Sequence, residues 1–369
     1  MIQIPEYIQQ LQAYKPGKSV QNIFEGKNFE RTAVLSSNEN NLGPSPRAIQ
    51  AVTESLMQAH MYPEPASNAL RSKLAYRLGR AEEEVIIGNG SDGILSNIFK
   101  AFLKPGDEML TSRGSFVAVN VMAKMNNVHL LKVDMKEGYA FDLTALLNRI
   151  NQQTKAVYLC NPNNPTGAMM GKEELEAFIS KVPENVLVII DEAYSDFSFQ
   201  LSNDFPDTTQ LQLPNVLTLR TFSKAYGLAG LRLGYAVGAP KIIETLFKVK
   251  LTFDPSIAAQ AAGIAALDDY EFVTQTIETT KIGLALYYDA FSRLNLNYIP
   301  SFGNFVMIDF GTPEKAHEIF QALLERGVFV RPLDFFEFPH CLRISVGTIA
   351  ESQLLVEKLT EVMQLVSVS

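Results

Sequence analysis

Cysteine, histidine and positive charge are all scarce in this sequence. Its two cysteines, Cys160 and Cys341, stand far apart, each inside an apolar run. No disulfide is expected, and both read as core residues of a cytoplasmic protein. The four histidines, His60, His129, His317 and His340, show no metal-ligand spacing, so no metal is expected. Lys and Arg number 32 against 40 Asp and Glu, a formal charge of −8. That excess of acid argues against nucleic acid or an anionic membrane as partner, but leaves room for a local basic pocket. No apolar run approaches the roughly 20 residues that span a bilayer. The opening MIQIPEYIQQLQAY has no cationic stretch followed by an apolar one, so no signal peptide is expected.

What the chain does have is length and alternation. Its 369 residues, 47% hydrophobic and 20% charged, suffice for a soluble globular protein of two domains. Residues 1–35 read as an arm, with a turn at Tyr14-Lys15-Pro16-Gly17-Lys18. Residues 36–250 read as a large domain. There Ser45 and Pro46 open a helix whose apolar face is Ile49, Val52, Leu56 and Met57. Strands expected at 85–87, 128–133, 156–160, 186–190 and 216–219 are apolar throughout and are separated by helices. That pattern indicates an α/β fold with a largely parallel sheet covered on both faces. Residues 88–92 read as a tight turn. Beyond residue 250 a long helix (271–294) and strands at 304–310, 328–331 and 341–346 read as a smaller α+β domain, 251–369.

The chemistry collects where strands end, the edge at which open α/β sheets bind ligands. Lys224 follows an apolar strand, with Ser223 before it and Arg232 eight residues on. Its amine suits a Schiff base. The hydroxyl and guanidinium suit a phosphate. The alternative is a solvated lysine in a turn. Gly90-Ser91-Asp92 offers amides at a helix start, either to a phosphate or as ordinary capping. Asn164 stands in the loop 161–167, either as a donor to a ring hydroxyl or in a plain turn. Asp191 closes a buried strand. That is costly unless a cation such as a protonated pyridine pairs with it, although it could equally cap the next segment. Tyr194 could reach the ring oxygen. Arg331 and Arg343 sit in strands, facing either an anionic ligand or an acid of their own domain.

Asn-Pro-Thr-Gly (164–167), Asp-Glu-Ala-Tyr (191–194) and Ser-Lys-Ala-Tyr-Gly-Leu-Ala-Gly-Leu-Arg-Leu-Gly (223–234) stand here in one order. In that order and spacing the chain, over nearly its whole length, resembles the fold type I aminotransferases that use pyridoxal phosphate. Within that group it is most similar to the histidinol-phosphate aminotransferases. The motifs favouring that subfamily are residues 14–18, Asn38-Glu39-Asn40, Tyr62-Pro63, 88–92 and Leu342-Arg343-Ile344-Ser345-Val346-Gly347-Thr348. The resemblance implies a mostly parallel seven-stranded sheet beside a smaller α+β domain. It implies Lys224 as the Schiff-base lysine and proton carrier, Asp191 on the pyridine nitrogen, and Asn164 and Tyr194 on the ring oxygen. Gly90, Ser91, Asp92, Ser223 and Arg232 would hold the phosphate, and Phe116 would stack on the ring. Arg343 would take the α-carboxylate of glutamate or 2-oxoglutarate. Tyr14, Tyr62 and Arg331 would meet the distal end of the substrate, with Tyr62 supplied by the other subunit of a homodimer. The implied reaction passes an amino group from histidinol phosphate to 2-oxoglutarate by a ping-pong route in histidine biosynthesis. Transamination of aromatic amino acids and decarboxylation of threonine phosphate are the alternatives. A regulator without catalysis would need a DNA-binding domain for which the chain has no length. Three features depart from the pattern: Gly93 where glutamate is common, Arg113-Gly114-Ser115-Phe116 in place of a proline-containing loop, and the aromatic run Phe335, Phe336 and Phe338, read as packing the domain seam.

Overall fold

Short runs rich in valine, isoleucine and leucine pair into two sheets. The structure, a computed structural model, describes residues 2–11 and 28–366. Its strands are β1 (Ala33–Leu35), β2 (Val85–Asn89), β3 (Glu108–Ser112), β4 (His129–Val133), β5 (Thr154–Cys160), β6 (Leu187–Asp191), β7 (Val216–Thr221), β8 (Leu233–Gly238), β9 (Asn297–Ile299), β10 (Phe305–Asp309), β11 (Val328–Pro332) and β12 (Cys341–Ser345).

The larger sheet has seven strands in the order β2-β8-β7-β6-β5-β3-β4, and only β8 runs against the others. The expected parallel α/β architecture is therefore the one observed. Residues alternate between its two faces, as the period of a strand requires. Tyr158, Cys160 and Ile189 pack with Ile94 and Phe99 of the helix Gly90–Phe102. Val157, Leu159, Val188 and Ile190 pack on the other face against Leu175 and Phe178 of the helix Lys172–Ile179. Each fully buried side chain of this kind contributes about 1.5–3 kcal/mol.

The second sheet has the order β1-β11-β12-β10-β9. The helices Tyr270–Arg293, Pro313–Leu324 and Ile349–Val366 back it, with Tyr287, Phe291, Ile319 and Leu355 in the core. Its first strand comes from far up the chain: Ala33 pairs with Val328 and Leu35 with Val330. Ser45 accepts from the Ala48 amide and Pro46 opens the helix Pro46–Ser55, as the sequence indicates.

Three features of the large sheet differ from expectation, the first being β3, since Glu108–Ser112 lies outside the expected strands. There is no separate turn at 88–92: β2 runs to Asn89 and the next helix begins at Gly90, whose φ of +75° makes the corner. Residues 233–238 form β8, a strand the glycines disguise. A Cβ on Gly234 would lie 2.5 Å from the Ser91 nitrogen, so glycine lets β8 pass under that corner. Among the described residues, no helix is long and apolar enough to cross a membrane.

Candidate active site

The parallel strands β5, β6 and β7 deliver Asn164, Asp191 and Lys224 to one edge of the sheet, around a cavity of about 360 Å³. Cys160 and Asp191 are register partners, so Asp191 shares a face with Cys160 and Tyr158.

Asp191 is fully buried and has no cationic side chain bonded to it among the described residues. The Tyr158 hydroxyl donates to its Oδ2 at 2.8 Å, and the Ala193 amide donates to its Oδ1 at 3.1 Å. Burial pushes its pKa up to about 6, against the lowering effect of Tyr158. The capping alternative is thus realised through Ala193, while Asp191 itself still lines the cavity. The next residue faces the other way. Glu192 accepts two bonds from Arg220, at 2.9 and 2.7 Å, and one from the Thr208 hydroxyl at 2.6 Å.

Lys224 donates to the Ser37 carbonyl at 3.2 Å and stands 5.7 Å from the Tyr194 ring centre. Burial, and then the Arg343 charge, lower its pKa to about 8. Close by, Ser91, Asp92, Ser223 and Arg232 line one end of the cavity. No side chain caps the helix Gly90–Phe102, so its first amides and positive dipole end stay open there. Arg232 holds a left-handed conformation, φ 52°, ψ 62°, and pairs with Asp92 at 3.6 Å. Such a backbone costs about 1–3 kcal/mol and persists where it places a functional group. Gly90 does not line the cavity. It lies against Arg232, where a Cβ would come within 2.8 Å of Nη2.

Arg343 of β12, 4% exposed, and Arg331 of β11 do not line the cavity themselves; Arg343 stands behind Asn164, which does. It donates through Nη1 to Asn164 Oδ1 and through Nη2 to the Ser36 carbonyl at 2.7 Å, and its Nε has no partner. Among the described residues it makes no salt bridge to an acid, and burial lowers its pKa to about 10. With its oxygen engaged, Asn164 presents its NH₂ group as the remaining donor. Arg331 gives Nε to the Ser36 carbonyl at 2.9 Å and Nη2 to the Ser37 hydroxyl at 3.1 Å. Tyr194 is buried, and its hydroxyl accepts from Asn38 Nδ2 at 2.9 Å; Asn38 in turn accepts from Ser345 at 2.7 Å.

Phe116 also lines the cavity. Tyr62 does not: it is 79% exposed and stacks on Phe253, with ring centres 4.3 Å apart. Tyr14 lies outside the described residues. Of the aromatic run, Phe336 and Phe338 are buried, with Phe338 against Gly114 in the turn after β3, while Phe335 is exposed and packs no seam. Sequence reasoning assigned no site role to Tyr158, Ser37, Glu39, Cys160 or Thr221, although all but Tyr158 line the cavity. Tyr158 was within reach of it. It stands two residues before the residue paired with Asp191, hence on the same face.

The family model for aminotransferase class I and II matches residues 31–359. The histidinol-phosphate aminotransferase of Bacillus subtilis (strain 168) is 38% identical over 364 residues, covering 98% of this chain and 100% of that protein. That of Akkermansia muciniphila is 38% identical over 362 residues, covering 97% and 98%. The crystal structure of histidinol-phosphate aminotransferase from Sinorhizobium meliloti in complex with pyridoxal-5'-phosphate superposes with a TM-score of 0.90 at 30% identity, covering 99% of each chain.

Proposed function

Because the chain belongs to the class I and II aminotransferases, we propose that it transfers the amino group of histidinol phosphate to 2-oxoglutarate, giving imidazole acetol phosphate and glutamate, with pyridoxal phosphate as cofactor. The observation that carries this reading is one cavity with the Lys224 amine, the buried Asp191 carboxylate and, behind Asn164, a buried arginine lacking an acidic partner.

The residues fit that cofactor. Among the described residues, Asp191 is a buried carboxylate whose side chain accepts from one hydroxyl and one amide, and a pyridinium N–H would supply the cation it lacks. Asn164 and Tyr194 would bond the ring oxygen, and Phe116 would stack on the ring. The amides of Ser91 and Asp92, the Ser223 hydroxyl and Arg232 would hold the phosphate. Bound there, the cofactor supplies an aldehyde carbon for the amino group and a ring that takes up the electrons left by the departing α-proton.

This chain's own groups do the rest. Asp191 would hold the proton on the ring nitrogen. Lys224 Nζ, with a pKa near 8, exists partly as the free amine at neutral pH, and it would be the group that takes the proton from the substrate Cα and gives it up at the carbon that bore the aldehyde. Arg343 fixes the α-carboxylate with its planar fork. Arg331 and Tyr14, with the partner subunit's Tyr62, receive the distal end of either substrate. In this reading residues 36–250 hold the cofactor and residues 251–369 supply the carboxylate contacts. The active form is a cytoplasmic homodimer, which gives the exposed Tyr62 a site to reach. Donor and acceptor use the site in turn, so the kinetics are ping-pong.

The test is a panel of amino donors with 2-oxoglutarate, following glutamate formation. Histidinol phosphate should give the highest kcat/KM. Faster turnover of phenylalanine, or carbon dioxide release from threonine phosphate, would replace this substrate assignment.

A further inference from the structure

Away from the cavity, on the seam between the two sheets, four side chains with ligating atoms meet. Asp309 ends β10, and its register partner Cys341 opens β12, so both side chains leave one face of an antiparallel pair. His340 precedes Cys341 in the turn. The ligating atoms of Asp309, His340 and Cys341 lie within 4.8 Å of one another. Tyr139, from the segment after β4, sets its hydroxyl among them: 2.7 Å from Asp309 Oδ2, 3.0 Å from His340 Nε2 and 3.8 Å from Cys341 Sγ.

We propose that Asp309, His340 and Cys341, with the Tyr139 oxygen as fourth contact, form a binding site for a divalent cation of the zinc class. One thiol, one imidazole and one carboxylate are the donor mixture such a borderline ion takes, and hard oxygen-seeking ions do not seek sulfur. Bonds of about 2.0–2.3 Å in a tetrahedron separate the ligands by roughly 3.3–3.8 Å. The contacts around Tyr139 already approach that, and rotation of the three side chains supplies the remainder. The ligands are also oriented from behind. The Gly311 amide holds Asp309 Oδ1 at 2.8 Å, which leaves Oδ2 for the cluster. Tyr139 is kept at φ 60°, uncommon for a residue with a side chain, and its hydroxyl is what the cluster grips. A cavity of about 590 Å³, lined by Asp309 and Tyr139, gives an entry path.

Binding exchanges the Cys341 thiol proton for a metal–sulfur bond and releases that proton to solvent, with no redox change. Asp309 and Cys341 stand in the five-stranded sheet, His340 in the turn before β12, and Tyr139 in the segment that follows β4 of the seven-stranded sheet, so the ion ties the two sides together. Histidine spacing could not reveal the site, because Asp309 and Tyr139 reach His340 only through strand pairing and the seam.

The experiment titrates the purified protein with Co²⁺ and reads the visible d–d bands of tetrahedral cobalt–thiolate coordination, at wavelengths beyond the cofactor's absorption. One Co²⁺ per chain is expected, displaced by Zn²⁺. The bands should vanish in Cys341→Ser and in His340→Gln and should persist in Cys160→Ser. Tyr139→Phe should weaken binding by roughly tenfold. If Cys341→Ser folds poorly, His340→Gln, altered in a half-buried turn, decides alone. The absence of these bands in the wild type, or their survival in His340→Gln, overturns the proposal.

Discussion

Arg331 and Arg343 stand directly opposite each other on β11 and β12. Like charges at facing positions of an antiparallel pair oppose folding, and here both guanidiniums converge on the Ser36 carbonyl. In the proposed reading, the Arg343 charge receives the substrate's carboxylate. Replacing Arg343 by Gln removes charged hydrogen bonds worth about 1.5–3 kcal/mol each. We expect kcat/KM to fall roughly 10²- to 10⁴-fold for every amino acid donor. A dicarboxylate should raise the Tm of the wild type and not that of the variant.

Asp191 makes a prediction with a defined sign. Its carboxyl is pushed up to about 6 in the fold from an ordinary 3.8. Below pH ~4 it is protonated folded or unfolded. Between ~4 and ~6 the unfolded chain ionises first, so stability falls as pH rises, and above pH ~6 the full cost of about 3 kcal/mol applies. Cofactor-free Asp191→Asn should therefore melt higher than the cofactor-free wild type at pH 7.5 and equally at pH 4. Its transaminase activity should nonetheless drop at least about a hundredfold. Equal melting temperatures at pH 7.5 would contradict this.

The amine of Lys224 should titrate near pH 8 in cofactor-free protein, well below the usual lysine. Site-resolved acylation across pH 6–11 reads this directly. Arg343→Gln, by removing a positive neighbour, should move that midpoint back toward the ordinary value. Lys224→Ala should lose both turnover and the pH-dependent visible absorbance of the bound cofactor.

Gly90→Ala places a methyl 2.8 Å from Arg232 Nη2, at a backbone φ of +75°. The guanidinium must move off the phosphate end of the cavity. Equilibrium dialysis should show the Kd for pyridoxal phosphate rising by about tenfold or more. Gly79→Ala, likewise at a positive φ (+64°) but meeting nothing within 4 Å and away from the cavity, is the control.

Arg220→Met leaves Glu192 buried and uncompensated. That costs about 3–5 kcal/mol, or a Tm loss of roughly 4–7 °C for a chain of this length. The double variant Arg220→Met, Glu192→Gln should recover part of it by calorimetry.

The parallel sheet was legible because strands buried on both faces must be apolar throughout, as 156–160 and 186–190 are. The groups at their ends were legible because a carboxylate or a lysine there breaks that pattern. β8 was not, since Gly234 reads as a point of close backbone approach rather than as part of a strand, and Ser91, which it passes beneath, is far away in the sequence. The Asn38–Tyr194 bond was hidden for another reason. It joins positions 156 residues apart, and no local period carries that distance. The two faces of Asp191-Glu192 were hidden too, because adjacent acids look alike in a string, whereas in a strand they point apart.

The bond from Arg343 to Asn164 has one more consequence. In the proposed reading, the group that would receive the substrate's carboxylate also orients the amide offered to the cofactor ring, so the two occupancies share a free energy. Whatever factor the cofactor contributes to carboxylate affinity, a carboxylate must contribute to cofactor affinity. An enzyme that trades one substrate for another at a single site would then change its grip on the cofactor each time a substrate enters or leaves.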